Sequence, residues 1–397
     1  MIQLAKTEQC TACGACAYAC PKQCITMKED NQGLLHPAID DTDCNSCNRC
    51  QSVCPILSPV EYASPMKAYA AWSTDAEERR TSASGGIAAE VYKAAIDEGR
   101  HIAGAKMNED FSVSMESAKE RSAITEFKNS KYVFSSAYGL FPRIKEILDA
   151  NGKAVVIGLP CQIAALRKIF RDNENLLLMD VVCHGVTPSS YLQQHIKTLE
   201  EESGKKAARI SFRDPALQTD TFTFSMYDEH GERFYAQRIV DGDKYQFGYH
   251  RAISYRENCY HCIFAKDKRI SDATLSDYKG LGRMAPCSFN NKKVSSILVN
   301  SAKGESFIKN LIESKRIIAE ERPVREPING DPQLRHPSVK NKFRLSFEKE
   351  IKANAGDFEK AMSYVMHKFF ITVYYQNHFL FLKRIVTKIK HIIRKIR

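Results

Sequence analysis

Cys10-Thr-Ala-Cys13-Gly-Ala-Cys16-Ala-Tyr-Ala-Cys20-Pro21 is followed, across a short spacer, by Cys44-Asn-Ser-Cys47-Asn-Arg-Cys50-Gln-Ser-Val-Cys54-Pro55. Each run has the form C-x2-C-x2-C-x3-C-P. Three closely spaced thiolates fold round one corner of a four-iron cubane, while the fourth, held out ahead of proline, completes the cluster of the other run. The spacing therefore predicts one 4Fe-4S cluster on Cys10, Cys13, Cys16 and Cys54, and a second on Cys44, Cys47, Cys50 and Cys20.

Two zinc sites are the competing reading, since C-x2-C also opens zinc ribbons. A zinc site takes four ligands in two pairs, whereas this stretch offers eight in two copies of one pattern. Disulfides fit least, because no signal-peptide pattern opens the chain and cytoplasmic thiols stay reduced. Cys24 falls outside the pattern and reads as a small packing residue. Along its whole length this segment resembles bacterial-type two-cluster ferredoxins.

With 397 residues the chain is long enough for two or three domains. Its net charge is +11, but nine of the 58 Lys and Arg lie from Lys360 onward, where Asp and Glu are absent. The rest is close to neutral and shows no basic nucleic-acid module, so no nucleic-acid partner is expected.

Ser58-Pro59 to Ser64-Pro65 reads as a short linker, and Lys67 to Trp72 as a strand. Ser82-Ala-Ser84-Gly85-Gly86 precedes a helical pattern with Ile87, Val91, Ala94 and Ala95 on one face; its first N–H groups either receive an anion or are simply capped. The apolar runs from Ala154 to Ile157 and from Leu176 to Val182, joined by a helical stretch, predict a βαβ unit and a parallel sheet. Cys161 and Cys183 stand just past those strands, at the edge where open α/β sheets place ligands. The alternation from Arg209 to Arg238 predicts an antiparallel insertion, and Cys259-Tyr-His-Cys262 adds a further C-x2-C. These four scattered thiols suffice for one more cluster, but their spacing does not choose among iron-sulfur, zinc and buried free cysteine. Cys161 as a nucleophile with His184 as its base lacks a third, orienting group.

Ser84-Gly85-Gly86, Ser130-Lys131-Tyr132, Gly158-Leu-Pro-Cys161-Gln162, Val182-Cys183-His184-Gly185, Cys259-Tyr-His-Cys262 and Arg269-Ile-Ser-Asp272 to Asp277 resemble, in order and spacing, the beta subunit of coenzyme F420 hydrogenase/dehydrogenase. The resemblance runs from about Lys67 to Ser314. It implies a flavoprotein that binds FAD, with a third 4Fe-4S cluster on Cys161, Cys183, Cys259 and Cys262 beside the flavin. It also makes Ser84, Gly85, Gly86, Ser130, Lys131 and Tyr132 the flavin contacts, which suits open N–H groups near a pyrophosphate and a cation near the ring. The family keeps a glycine before its second aspartate and an aromatic pair after it. Here the segment reads Leu275-Ser276-Asp277-Tyr278-Lys279-Gly280, so coenzyme F420 is not assigned as the substrate.

Pro323 to Pro337 reads as an exposed loop. Phe369 to Phe381 is aromatic but broken by Gln376, Asn377 and His378, a poor membrane span. Beyond it Leu382, Ile385, Ile389, Ile392 and Ile396 form a stripe opposed by Lys and Arg, a basic amphipathic helix suited to an anionic membrane surface or a partner. The expected organisation is α+β and α/β: a two-cluster ferredoxin domain at 1–57, an α/β flavin-type domain in parts 66–150 and 151–320, a linker at 321–345 and a helical tail at 346–397. The expected function is an iron-sulfur flavoprotein oxidoreductase, cytoplasmic and peripheral at the inner face of the cell membrane. It would relay electrons between a two-electron substrate and a ferredoxin or other redox partner protein. The alternative is a non-catalytic iron-sulfur electron-transfer module serving a separate enzyme.

Overall fold

The apolar runs near residues 155 and 178 become adjacent parallel strands, Ala154–Gly158 and Leu176–Val181, joined by the helix Pro160–Phe170. Every residue of the first strand is buried, as in a parallel pair covered on both faces. The computed structural model describes residues 2–30, 33–289 and 292–396, and side chains up to residue 386 apart from 383.

These two strands lie inside a nine-stranded mixed sheet. Its order is Ile317–Arg322, Lys67–Ser73, Ser295–Val299, Ala273–Asp277, Leu176–Val181, Ala154–Gly158, His101–Met107, Val113–Ala118 and Ser135–Ser136. The four strands from Ala273–Asp277 to His101–Met107 run parallel, so their carboxyl ends share one edge. Helices Ile87–Asp97 and Ala302–Glu313 cover one face through Ile87, Val91, Phe307 and Ile308. Leu140–Asp149 and Pro160–Phe170 cover the other through Phe141, Ile144, Ile163 and Leu166.

The antiparallel insertion is a separate three-stranded sheet of Arg209–Ser211, Phe224–Tyr227 and Arg233–Gln237. Its core, with Phe212, Phe224 and Tyr245, is closed by the helix Ser189–Ser203 and by Phe358, Ala361 and Met362. There His195 is buried between Asp243 at 3.2 Å and Glu359 at 2.6 Å. Burial alone would lower its pKa, but the two carboxylates overcome that and raise it to about 9. An imidazolium thus ties the last helix to the body.

The N-terminal segment carries a hairpin, Ile25–Glu29 with Leu35–Ile39, and short helices Ala15–Ala19 and Arg49–Ser52. It is fixed to the large sheet's helical layer. Tyr18 stacks on Phe141 with centroids 5.3 Å apart. At Gly14, where φ is +80°, a Cβ would come within 2.8 Å of the Tyr138 Cβ. The stretch after Ser58 is extended but held: Ala63 bridges to Arg269, and the Tyr62 hydroxyl donates to the Ile263 carbonyl at 3.2 Å.

One expectation for the C-terminal part fails. Pro323 to Pro337, within the expected linker 321–345, is no exposed loop: it contains the helix Arg325–Gly330, and Glu326, Ile328, Asp331 and Leu334 are buried. Its charges are satisfied internally, because Arg322 donates to both oxygens of Glu326, at 2.9 and 3.1 Å, and Tyr278 adds a third bond at 2.8 Å. The tail expected at 346–397 is helical, with Arg344–Ala353 leading into a longer element. That element is one helix, Phe358–Ile396, whose first turns are core. Farther along, Phe370, Tyr374, Tyr375, Phe379 and Phe381 are exposed. Of the basic stripe, the side chains of Lys383, Lys388, Ile389, Lys390, Ile392, Arg394, Lys395, Ile396 and Arg397 lie outside the described residues. Among the described residues, no helix is long and apolar enough to cross a membrane.

Candidate functional site

In each N-terminal run, two residues between the cysteines hold positive φ: Ala12 at 53° and Gly14 at 80°, then Ser46 at 55° and Asn48 at 61°. The matching placement turns both loops alike. Three of the four are not glycine, a local cost of roughly 1–3 kcal/mol each that marks a geometry kept for a purpose. The turn also aims peptide N–H groups at sulfur, as in Ala12 donating to Cys10 Sγ at 3.4 Å.

Cys10, Cys13, Cys16 and Cys54 line one small cavity, and Cys20, Cys44, Cys47 and Cys50 line another. The two cysteines that precede proline therefore cross over, each joining the other run's thiols. Cys24, expected only to pack, also lines the second cavity, with its sulfur 3.5 Å from that of Cys20. Burial pushes the thiols of Cys10 and Cys13 up, Cys13 to about 11. Bare thiolates are unfavourable in such a place, and a bound metal reverses that balance.

Cys161, Cys183, Cys259 and Cys262 line a third cavity of about 200 Å³. Cys161 opens the helix Pro160–Phe170, where Gln162 accepts from the Leu159 N–H at 2.8 Å and donates to Ser135 Oγ at 2.8 Å, fixing the turn. Cys183 follows the neighbouring strand, and Cys259 sits on the short helix Glu257–Tyr260. Burial pushes the Cys161 thiol far up, and the thiols of Cys183, Cys262, Cys259 and Cys13 push it further. Among the described residues no three His, Cys, Asp or Glu stand close enough to hold a single metal ion. Cys13 lines both this cavity and the first N-terminal one.

A larger cavity, about 390 Å³, opens at the carboxyl edge of the parallel strands and shares Leu159, Gln162 and Cys183 to Val186 with the third. Ser84, Gly86, Ser130, Lys131 and Tyr132 line it. Gly85 does not; a Cβ there would meet the Ala71 carbonyl at 2.5 Å, so it serves close packing. Gly86, at φ +85°, begins the helix Ile87–Asp97 without a side-chain cap. Lys131 donates to the carbonyls of Glu126 at 2.8 Å and Lys128 at 3.2 Å, and burial lowers its pKa to about 8. The Asn129 side-chain oxygen is buried in this wall with no partner among the described residues.

The sequence did not point to the far wall, made by the insertion and by the misread segment after Arg322. It carries Arg213, paired with Asp277 at 3.0 Å, and His250, whose pKa burial lowers to about 4. Lys279 bonds Asp331 at 3.1 Å and His184 Nε2 at 3.2 Å. His184 is thus engaged away from any role as base to Cys161, and burial and Lys279 lower its pKa.

Residues 152–324 match the family described as the C terminus of the beta subunit of coenzyme F420 hydrogenase/dehydrogenase, and residues 9–56 match the 4Fe-4S dicluster domain. The chain is 23% identical to the F subunit of the F(420)H(2) dehydrogenase of Methanosarcina mazei, over 64% of this chain and 71% of that protein. It is 24% identical to the coenzyme F420-dependent sulfite reductase of Methanocaldococcus jannaschii, over 77% of this chain but only 46% of that protein. Its N-terminal part is 37% identical to a ferredoxin-like protein in the nif region of Sinorhizobium fredii, over 12% of this chain and 78% of that protein.

Proposed function

The chain carries the C-terminal domain of the coenzyme F420 hydrogenase/dehydrogenase beta subunit family behind a 4Fe-4S dicluster domain, and on that premise we propose that it is an iron-sulfur flavoprotein relaying electrons between a two-electron substrate and one-electron carriers. The observation that carries this reading is the row of cavities. Cys16 of the first N-terminal site packs in one cluster with Cys20, Cys44 and Cys50 of the second, Cys13 joins the first to the third, and Cys183 joins the third to the large one. The ferredoxin domain at 1–57 would hold two clusters on Cys10, Cys13, Cys16 and Cys54, and on Cys20, Cys44, Cys47 and Cys50. Cys161, Cys183, Cys259 and Cys262, in the flavin-type domain of parts 66–150 and 151–320, would hold the third.

The large cavity fits a flavin. Its volume falls in the range of cofactor sites, an uncapped helix start faces it, and the Asn129 oxygen lacks a partner. FAD there would take up a hydride and release electrons one at a time. Ser84, Gly86, Ser130, Lys131 and Tyr132 would hold it, and Arg213, fixed by Asp277, would keep positive charge near. Gly85 supports that wall from behind. Acid release and fluorescence of the protein purified without oxygen are expected to give about one FAD per chain. Protein with its iron but no flavin would leave the non-catalytic module as the reading.

The exposed aromatics from Phe370 to Phe381, followed by a basic run without acid, support docking at the anionic inner face of the cell membrane. A chain ending at Ile371 keeps Phe369 against Phe247 and so keeps its core. It is expected to lose flotation with anionic vesicles that the full chain shows. Equal flotation would point to a protein partner for the tail.

A further inference from the structure

Arg256 is 3% exposed and forms part of the wall of the third thiol cavity. It donates to the Leu35 carbonyl in the N-terminal hairpin at 3.1 Å and to the Asn258 side-chain oxygen at 3.4 Å, and its guanidinium lies 4.7 Å from the Phe134 ring centre. These acceptors are all neutral. The other buried arginines are matched with carboxylates: Arg269 with Asp180, Arg322 with Glu326, Arg213 with Asp277 and Arg344 with Glu348. The cavity that Arg256 lines takes in Cys161, Cys183, Cys259 and Cys262 together with Thr11 and Cys13 of the first run, and its charge bears on the Cys259, Cys10 and Cys161 sulfurs ahead of the Asp30 carboxylate. Cys259 and Cys161 belong to the third site and Cys10 to the first.

A guanidinium buried among neutral acceptors is strongly unfavourable unless a negative charge arrives beside it. A cluster held by four thiolates is such a charge, and its negative charge grows when it is reduced. A fixed cation therefore stabilises the reduced form more than the oxidised one and raises the cluster's potential. We infer that Arg256 is a cation shared by the first and third cluster sites, which raises the potentials of both and leaves that of the second unchanged. This rests on the three-cluster reading. The second site, on Cys20, Cys44, Cys47 and Cys50, is the internal control, since Arg256 lines the third cavity and not that one.

Redox titration of the full chain by electron paramagnetic resonance, on wild type, Arg256→Gln and Arg256→Lys loaded with iron, tests it. Arg256→Gln should lower the potentials of the first and third clusters and leave the second in place, while Arg256→Lys should return both close to wild type. Iron lost from both flanking sites in Arg256→Gln and kept in Arg256→Lys would support the same charge requirement. Unmoved potentials in Arg256→Gln would overturn it. So would equal displacement in Arg256→Lys, which would trace the effect to the Leu35 and Asn258 hydrogen bonds. A wild type lacking the third signal would fail the three-cluster reading instead, and the first cluster's response would still judge Arg256.

Discussion

Alanine at Cys262 is expected to remove about four of about twelve irons per chain, leaving the two N-terminal clusters and the flavin in place. The choice of Cys262 follows from the geometry. Cys183 faces both the third cavity and the larger one, so its loss would disturb two sites, whereas Cys262 lines only the third. Three remaining thiols leave one iron corner without its cysteine, and burial already opposes their ionisation. With the third site empty, substrate should still bleach the flavin while the N-terminal clusters stay oxidised. Iron analysis and stopped-flow spectra without oxygen read both effects; undiminished iron with wild-type cluster reduction would remove the third cluster from the path.

The second large effect is on stability. Asp180 and Arg269 form a fully buried ion pair, 0% and 2% exposed at their side chains, at the centre of the parallel strands. Asp180 also accepts from Ser271 at 2.9 Å, and Arg269 donates to Thr274 and to the carbonyls of Phe264 and Lys266. Arg269 lines the third cavity, so the pair connects sheet to site. Asp180→Ala leaves the guanidinium buried without its partner, at a cost of about 3–5 kcal/mol, or roughly 10 °C in Tm. Asp172→Ala is the control. That carboxylate pairs with Arg167 and Lys303 but is 74% exposed, so its loss should fall within about 1 kcal/mol. Thermal melts of both variants decide it; similar melts would mean that the pair carries little.

The features legible in the sequence were those set by local spacing. Two copies of C-x2-C-x2-C-x3-C-P named eight thiols, and the structure gathers them into the two crossed sets that spacing required. The runs around Val155 and Leu178 announced parallel strands because both are apolar without alternation. What escaped was set by contacts distant in sequence. Arg322 and Glu326 look like solvated charges beside proline until the fold brings Tyr278 onto them. Gly85 looks like part of an anion loop, yet its lack of a side chain answers to Ala71 and Ser295. Arg213 and His250 reach the large cavity only because the insertion folds over the sheet edge. Arg256 precedes the last C-x2-C by three residues and still gave no signal, since its meaning comes from Leu35 and Cys10 in another domain.

In the proposed arrangement, twelve cysteines of this chain hold iron in three four-iron sets. Iron and zinc measured together on the whole protein, isolated without oxygen, test it most directly. About twelve irons per chain, with zinc at background, is the predicted result. Colourless protein carrying zinc in place of iron would contradict it.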